Sequence, residues 1–138
     1  MAKLKSAAAL IVSVSFAFSA LAKPPSEREL VEKIVGTWMA HPDEYGFLMK
    51  GGIYTYRADK SFLSFGAFGT GSRHLDASIE GKWWIEGNVL CQEVTKSSFP
   101  EIVPVGHVYR ETILGISDEE CWVRDDEGKE HMCTRYKK

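Results

Sequence analysis

Gly81-Lys82-Trp83-Trp84-Ile85-Glu86-Gly87-Asn88-Val89-Leu90-Cys91-Gln92-Glu93-Val94 is the most legible stretch of this sequence. Its aromatic and β-branched residues favour strands, and Gly87-Asn88 suits a two-residue hairpin turn. That turn sets the register. Ile85 opposes Leu90 and Trp83 opposes Gln92 on one face; Trp84 opposes Cys91 and Lys82 opposes Glu93 on the other. The first face, extended by Val94, is the more apolar and is expected to point to a core. Cys91 then belongs to the outer or less buried face, and Gly81 marks a bend in the first strand.

Working outward, short runs rich in Val, Ile, Tyr, Phe, Trp and Thr alternate with turn signals. Eight strands are expected: 36–41, 52–57, 61–68, 75–86, 88–96, 106–116, 120–125 and 129–136. Most connections are short, so successive strands pair as antiparallel hairpins. The exception is 42–51, a longer loop carrying Tyr45, Phe47, Leu48 and Met49. The last hairpin turns at Asp125-Asp126-Glu127-Gly128-Lys129, which suits a type I turn followed by a left-handed glycine. It sets Asp125 against Lys129, Val123 against His131 and Cys121 against Cys133. A Cys121–Cys133 disulfide is the expected pairing. The same register makes this a hydrogen-bonded pair, where cross-strand disulfides are less common, and three half-buried thiols are the alternative.

Eight up-and-down strands leave two edges, and closing the sheet into a barrel removes them. A barrel of that size either packs its interior with side chains or holds one small ligand. The expected fold is therefore all-β: an eight-stranded antiparallel up-and-down barrel preceded by a short helix over 23–35. Ser26 and Glu29 fit a capping box at the start of that helix. Leu30, Val31, Ile34 and Val35 fall on one side, and Gly36 closes it.

The first and last strands carry a further pattern. Gly36-Thr37-Trp38 opens strand one and Arg135 lies near the end of strand eight. With Tyr54-Thr55-Tyr56-Arg57-Ala58-Asp59-Lys60-Ser61-Phe62 and the Gly81–Leu90 hairpin, the chain resembles small bacterial lipocalin-like, calycin-type barrels from about Val35 to Arg135. The resemblance implies that Trp38 and Arg135 close one end of the barrel, with the guanidinium over the indole face. The chain is shorter than typical secreted lipocalins and lacks their second and third signatures.

Upstream, Lys3 and Lys5 precede an uncharged apolar run from Ser6 to Ala22 that ends Ala20-Leu21-Ala22. This is the anatomy of a cleavable signal peptide, 1–22, with cleavage after Ala22 and a barrel domain over 23–138. The run is shorter than the roughly 20 residues of a spanning helix, so no membrane span is expected. The periplasm, or the medium outside the cell, is the expected location. Loss of the leader takes 17 basic residues down to 15 against 19 acidic ones, a balance that argues against nucleic acid or an anionic membrane surface as partner.

No motif for catalysis, cofactor or metal stands out. His41, His74, His107 and His131 lack compact metal spacing; His131 and Cys133 share a strand face, but no third ligand follows. Gly66-Ala67-Phe68-Gly69-Thr70-Gly71 lacks the helix that a phosphate loop requires and reads as a strand end and turn. The acidic groups 118–120 and 125–127 lack calcium-loop spacing and read as turns. What remains is aromatic richness. Tyr45, Phe47, Tyr54, Tyr56, Phe65 and Tyr109 are the candidate lining of a ligand cavity, with the 42–51 loop as its lid. The expected function is binding of a small apolar or amphipathic molecule without catalysis. The alternative is a packed periplasmic protein-interaction module, such as an envelope-assembly partner or a β-barrel enzyme inhibitor.

Overall fold

A computed structural model of the chain describes residues 23–40, 50–68 and 75–137. The signal segment, the 42–49 part of the long loop and the 69–74 connection lie outside them. Helix α1 runs Glu27–Ile34, four residues shorter at its start than the 23–35 reading. Residues 23–26 precede the helix, Ser26 is extended, and its Oγ caps the first turn by accepting from Glu29 N at 3.2 Å. Leu30 and Ile34 bury one face of the helix.

Eight strands follow: β1 Gly36–Ala40, β2 Lys50–Tyr56, β3 Ser61–Phe68, β4 Leu75–Glu86, β5 Val89–Ser97, β6 Val108–Ile116, β7 Glu120–Arg124 and β8 Glu130–Arg135. Each pairs antiparallel with its neighbours, and β8 pairs back to β1, closing the barrel. The β4–β5 and β7–β8 registers are those set by their turns, with Ile85 opposite Leu90 and Cys121 opposite Cys133. Gly128 takes φ +86°, as a type I turn with a glycine bulge requires. β2 starts two residues early, and β6 starts two late because Gly106, at φ +91°, still belongs to the turn.

The Cys121–Cys133 disulfide does not form; all three cysteines are thiols. The reason lies in the ladder. Asp125 N donates to Lys129 O, so alternate pairs down the hairpin, 121 and 133 included, are hydrogen-bonded pairs whose side chains stand wider apart. Cys91 departs from expectation in another way. It faces outward between Trp84 and Arg110, yet it is fully buried.

One end of the barrel is shut by α1 and two tryptophans. Trp38 Nε1 donates to Ile34 O at 2.8 Å, and the Arg135 guanidinium lies 4.2 Å over the Trp38 ring. Arg135 also donates to Lys33 O, Val35 O and Asp118 O at 2.7, 3.0 and 2.6 Å. It thereby satisfies carbonyls that the helix C-terminus leaves unpaired. Gly36 is needed here twice over: its φ is +136°, and a Cβ would sit 2.3 Å from Arg135 Nη1. Beside this group, Trp83 Nε1 donates to Arg57 O at 3.0 Å under the Lys60 ammonium, and the Tyr56 ring packs edge-on against the Trp83 indole. The Glu27 carboxylate accepts from Gly87 N and ties the helix to the β4–β5 turn. Ala40, Lys50, Phe68 and Leu75, where the described segments break off, all lie at the other end, together with the β5–β6 connection and the β7–β8 turn.

Candidate functional site

The site is the barrel interior. Strand alternation sends Trp38, Tyr54, Tyr56, Phe62 and Ser64 inward from β1–β3. From β4–β6 it sends in Ile79, Trp83, Leu90, Gln92, Val94, Tyr109, Glu111 and Ile113. Cys121, Val123, His131 and Cys133 complete the ring from β7 and β8. Toward the shut end the filling is apolar and tight. Polar side chains sit among apolar ones through the rest of it: Gln92 is paired with Trp83 and Glu111 with Leu90, while Val94 and Val103 are fully buried toward the other end.

Five polar residues of this interior were not among the sequence candidates. Gln92 Nε2 donates to Glu111 Oε1 at 3.1 Å. Burial pushes the Glu111 carboxyl above its ordinary value; the Gln92 bond and His131 pull it partly back, while Asp125 and Asp126 push it further up. His131 Nε2 and Asp125 Oδ2 share a buried hydrogen bond of 2.8 Å, and Asp125 Oδ1 accepts from Glu127 N and Lys129 N. Ser64 is 1 % exposed and faces inward, and its Oγ meets no partner at hydrogen-bonding geometry. It lies opposite Tyr54, close enough to draw the phenol's pKa down a little. That is a small effect beside burial, which together with Glu111 and Cys133 drives it well up.

The sequence candidates divide as follows. Tyr54 and Tyr109 are inward and half-buried, with the Tyr109 ring edge-on to His107 at 4.3 Å. Burial raises the Tyr109 pKa, and Asp126 adds to it. Tyr56 is also inward but is spent in the shut end against Phe62 and Trp83. Phe65 corrects the expectation. β3 turns Phe62 and Ser64 to the core, so Phe65 between them and Gly66 faces out and is 57 % exposed. Tyr45 and Phe47 lie outside the described residues, as does most of the proposed lid. Trp38 and Arg135 meet as expected. Among the described residues no three His, Cys, Asp or Glu side chains group as a metal site.

The sequence held a faint trace of the missed residues. Glu111 interrupts the inward row Tyr109, Glu111, Ile113, and Gln92 already stood opposite Trp83 on the apolar face. A charge on a core face needs a reason.

The Asp125 anchor has a measurable pH signature. Burial alone would raise this carboxyl, but the bonds from His131, Lys129 N and Glu127 N outweigh it and hold the pKa below the ordinary value. Stability from a lowered carboxyl pKa is present above the unfolded value of about 4 and is lost as pH falls through the folded value. Asp125→Asn is expected to cost about 1–2 kcal/mol at pH 7. It should also flatten the acid-side loss in urea melts between pH 2 and 7; a parent-like slope in the variant would refute the assignment.

No protein-family model and no curated protein matches the sequence. Solved structures do. The chain is similar to a lipocalin-like protein from Bacteroides uniformis ATCC 8492, with a TM-score of 0.53 and 10% identity over 75% of this chain and 99% of that one. It is also similar to an uncharacterized protein from Bacteroides eggerthii DSM 20697, with a TM-score of 0.51 and 12% identity over 75% and 99%. At these identities the likeness establishes the fold: a small lipocalin-like barrel.

Proposed function

We propose that this chain is an exported, non-catalytic carrier whose barrel interior binds a small apolar or amphipathic molecule, working in the periplasm or outside the cell. Tyr54, Tyr109 and Glu111 face inward and are half-buried rather than fully buried, with Tyr54 directly opposite the inward Ser64. Half-buried polar side chains on inward faces are the kind of contact a ligand cavity uses to orient its occupant, and they support a carrier over a packed module. Export is supported by the apolar leader that ends Ala20-Leu21-Ala22. The reading without catalysis is supported by the state of the reactive groups. His131 is bonded to Asp125, and burial pushes the Cys121 thiol up to about 12, far from a thiolate at neutral pH.

Native mass spectrometry of the protein purified from its own compartment tests this. A bound small molecule, lost on organic extraction, is expected. A ligand-free mass, with no uptake of a neutral naphthylamine dye by the extracted protein, would sink the carrier. A second reading rests on the outer wall. Met39, Ile53 and Phe65 lie side by side across β1–β3, and Met39 and Phe65 are exposed. An interaction module or enzyme inhibitor would use such a row. Recovery of one envelope protein crosslinked through position 65, from a barrel that takes no ligand, would favour it.

A further inference from the structure

We propose that the outer wall of the barrel carries a shallow sugar site on β6 and β7, where the exposed Trp122 stacks on one pyranose ring of a neutral oligosaccharide seated over Gly115. The site lies outside the lumen, so it stands or falls independently of the carrier reading.

Two residues on this wall have no role inside the fold. Trp122 is the first. Of the four tryptophans, Trp38 and Trp83 are buried in the shut end, and Trp84 is half-buried with its Nε1 bonded to Glu86. Trp122 faces out from β7 and is 42 % exposed, which gives up much of the largest apolar burial a side chain offers. Gly115 is the second, and it is the residue directly opposite Trp122 on β6. Its φ is not positive, and a Cβ there would meet no described atom within 4 Å. The register shift between Ile113 and Gly115 makes Leu114 the extra residue of a bulge, and such a bulge demands glycine only in the left-handed conformation. Neither the turn of the chain nor a crowded neighbour therefore accounts for a glycine that weakens its strand. Open space over a strand glycine lets an outside molecule approach the backbone closely.

The bulge sets Leu114 and Gly115 against the single Trp122, so a bare floor lies beside the indole. Polar groups line its edge. Arg124 and Glu130, the next outward pair along β7 and β8, are joined at 3.0 Å, and Thr112 stands opposite Arg124 on β6.

These surroundings select the occupant. A lipid tail or a dry protein contact would strip water from the Arg124–Glu130 pair, a cost that its Coulomb attraction does not recover. A charged ligand would meet its own sign in one member of that pair. A pyranose with equatorial substituents is uncharged. It lays a flat C–H face on an indole and turns its hydroxyls outward as donors and acceptors alike. Arg124 supplies donors for them, Glu130 acceptors, and Thr112 both.

Nuclear magnetic resonance titration of the labelled, exported protein with cellohexaose, chitohexaose and sorbitol tests the site. The indole N–H signal of Trp122 is expected to move with one or both hexaoses, at a Kd of about 1 mM or below. Sorbitol, which has the hydroxyls but no ring face, should leave it in place. Trp122→Ala should weaken binding at least tenfold, read on the amide signals of Leu114 and Gly115. Gly115→Leu leaves the indole untouched but fills the floor, and should weaken binding as much. Both changes lie on the surface and should shift the melting temperature by only about 3 °C or less. No shift with either hexaose, an equal shift with sorbitol, or binding unchanged in Trp122→Ala or in Gly115→Leu overturns the proposal.

Discussion

Arg135→Ala is expected to lower the melting temperature by about 10–20 °C, a loss of roughly 3–4 kcal/mol for a domain of this size. The guanidinium makes three hydrogen bonds to backbone carbonyls, Lys33 O, Val35 O and Asp118 O, and stacks on Trp38. Bonds from a charged donor contribute about 1.5 kcal/mol each at their lower end, and a partly exposed cation–π contact about 1 kcal/mol more. Arg135 is only half-buried, so water replaces part of what is lost and the total falls short of the sum. The loss should be local first. Without the guanidinium Lys33 O and Val35 O lose this partner while Ile34 O keeps Trp38 Nε1, and the last turn of the helix should fray from the barrel end it covers. Amide exchange over 30–35 should therefore speed up in the variant before the strands do. Arg135→Lys keeps the charge but cannot reach several carbonyls with one planar fork, so it should recover less than half of the loss. A melting temperature equal to the parent's would show that the shut end does not depend on this residue.

The same residues show how much of the molecule was legible in the sequence. Where a turn dictates geometry, strand pairing could be read residue by residue. Gly87-Asn88 fixed Trp83 opposite Gln92, and Gly128 fixed Val123 opposite His131. Closure was legible because eight strands in series need partners for the first and last. The shut end was legible through Gly36-Thr37-Trp38 and Arg135. The lumen was not. Ser64, Gln92, Glu111 and His131 come from β3, β5, β6 and β8, and only closure of the sheet brings them to one space. Aromatic content pointed to Tyr54 and Tyr109 but could not tell them from Phe65, which one step of strand alternation turns outward. The disulfide failed for a related reason. Register makes two cysteines neighbours, but whether their side chains converge depends on which kind of ladder pair they form.

Gly81→Ala is expected to be the more damaging of the two changes, costing about 4 kcal/mol or more out of a total that for domains of this kind is about 5–15 kcal/mol. A Cβ at this position would lie 1.9 Å from Glu93 O, a backbone atom of the neighbouring strand, and 2.5 Å from the Phe62 ring. The ring could tilt; the carbonyl cannot move without breaking the β4–β5 ladder. The register explains why the approach is so close. Gly81 pairs with Val94 but Glu80 pairs with Lys96, so Thr95 is the extra residue of a bulge, pinned by its hydroxyl donating to Glu80 O. The bulge lies on β5, and opposite it β4 runs on over twelve residues, carrying Trp83 to the shut end and Ile79 and Ala77 to the inner wall. Gly115 offers the control. It also flanks a register shift, between Ile113 and Gly115, but nothing lies within 4 Å of its would-be Cβ. Gly115→Ala should therefore change stability by less than about 1 kcal/mol. Far-ultraviolet circular dichroism and thermal melts of the two variants, prepared side by side, decide the matter. Gly81→Ala should be recovered largely unfolded or with a melting temperature far below that of Gly115→Ala. Equal melting temperatures would mean that the β4–β5 bulge is not built around the missing side chain.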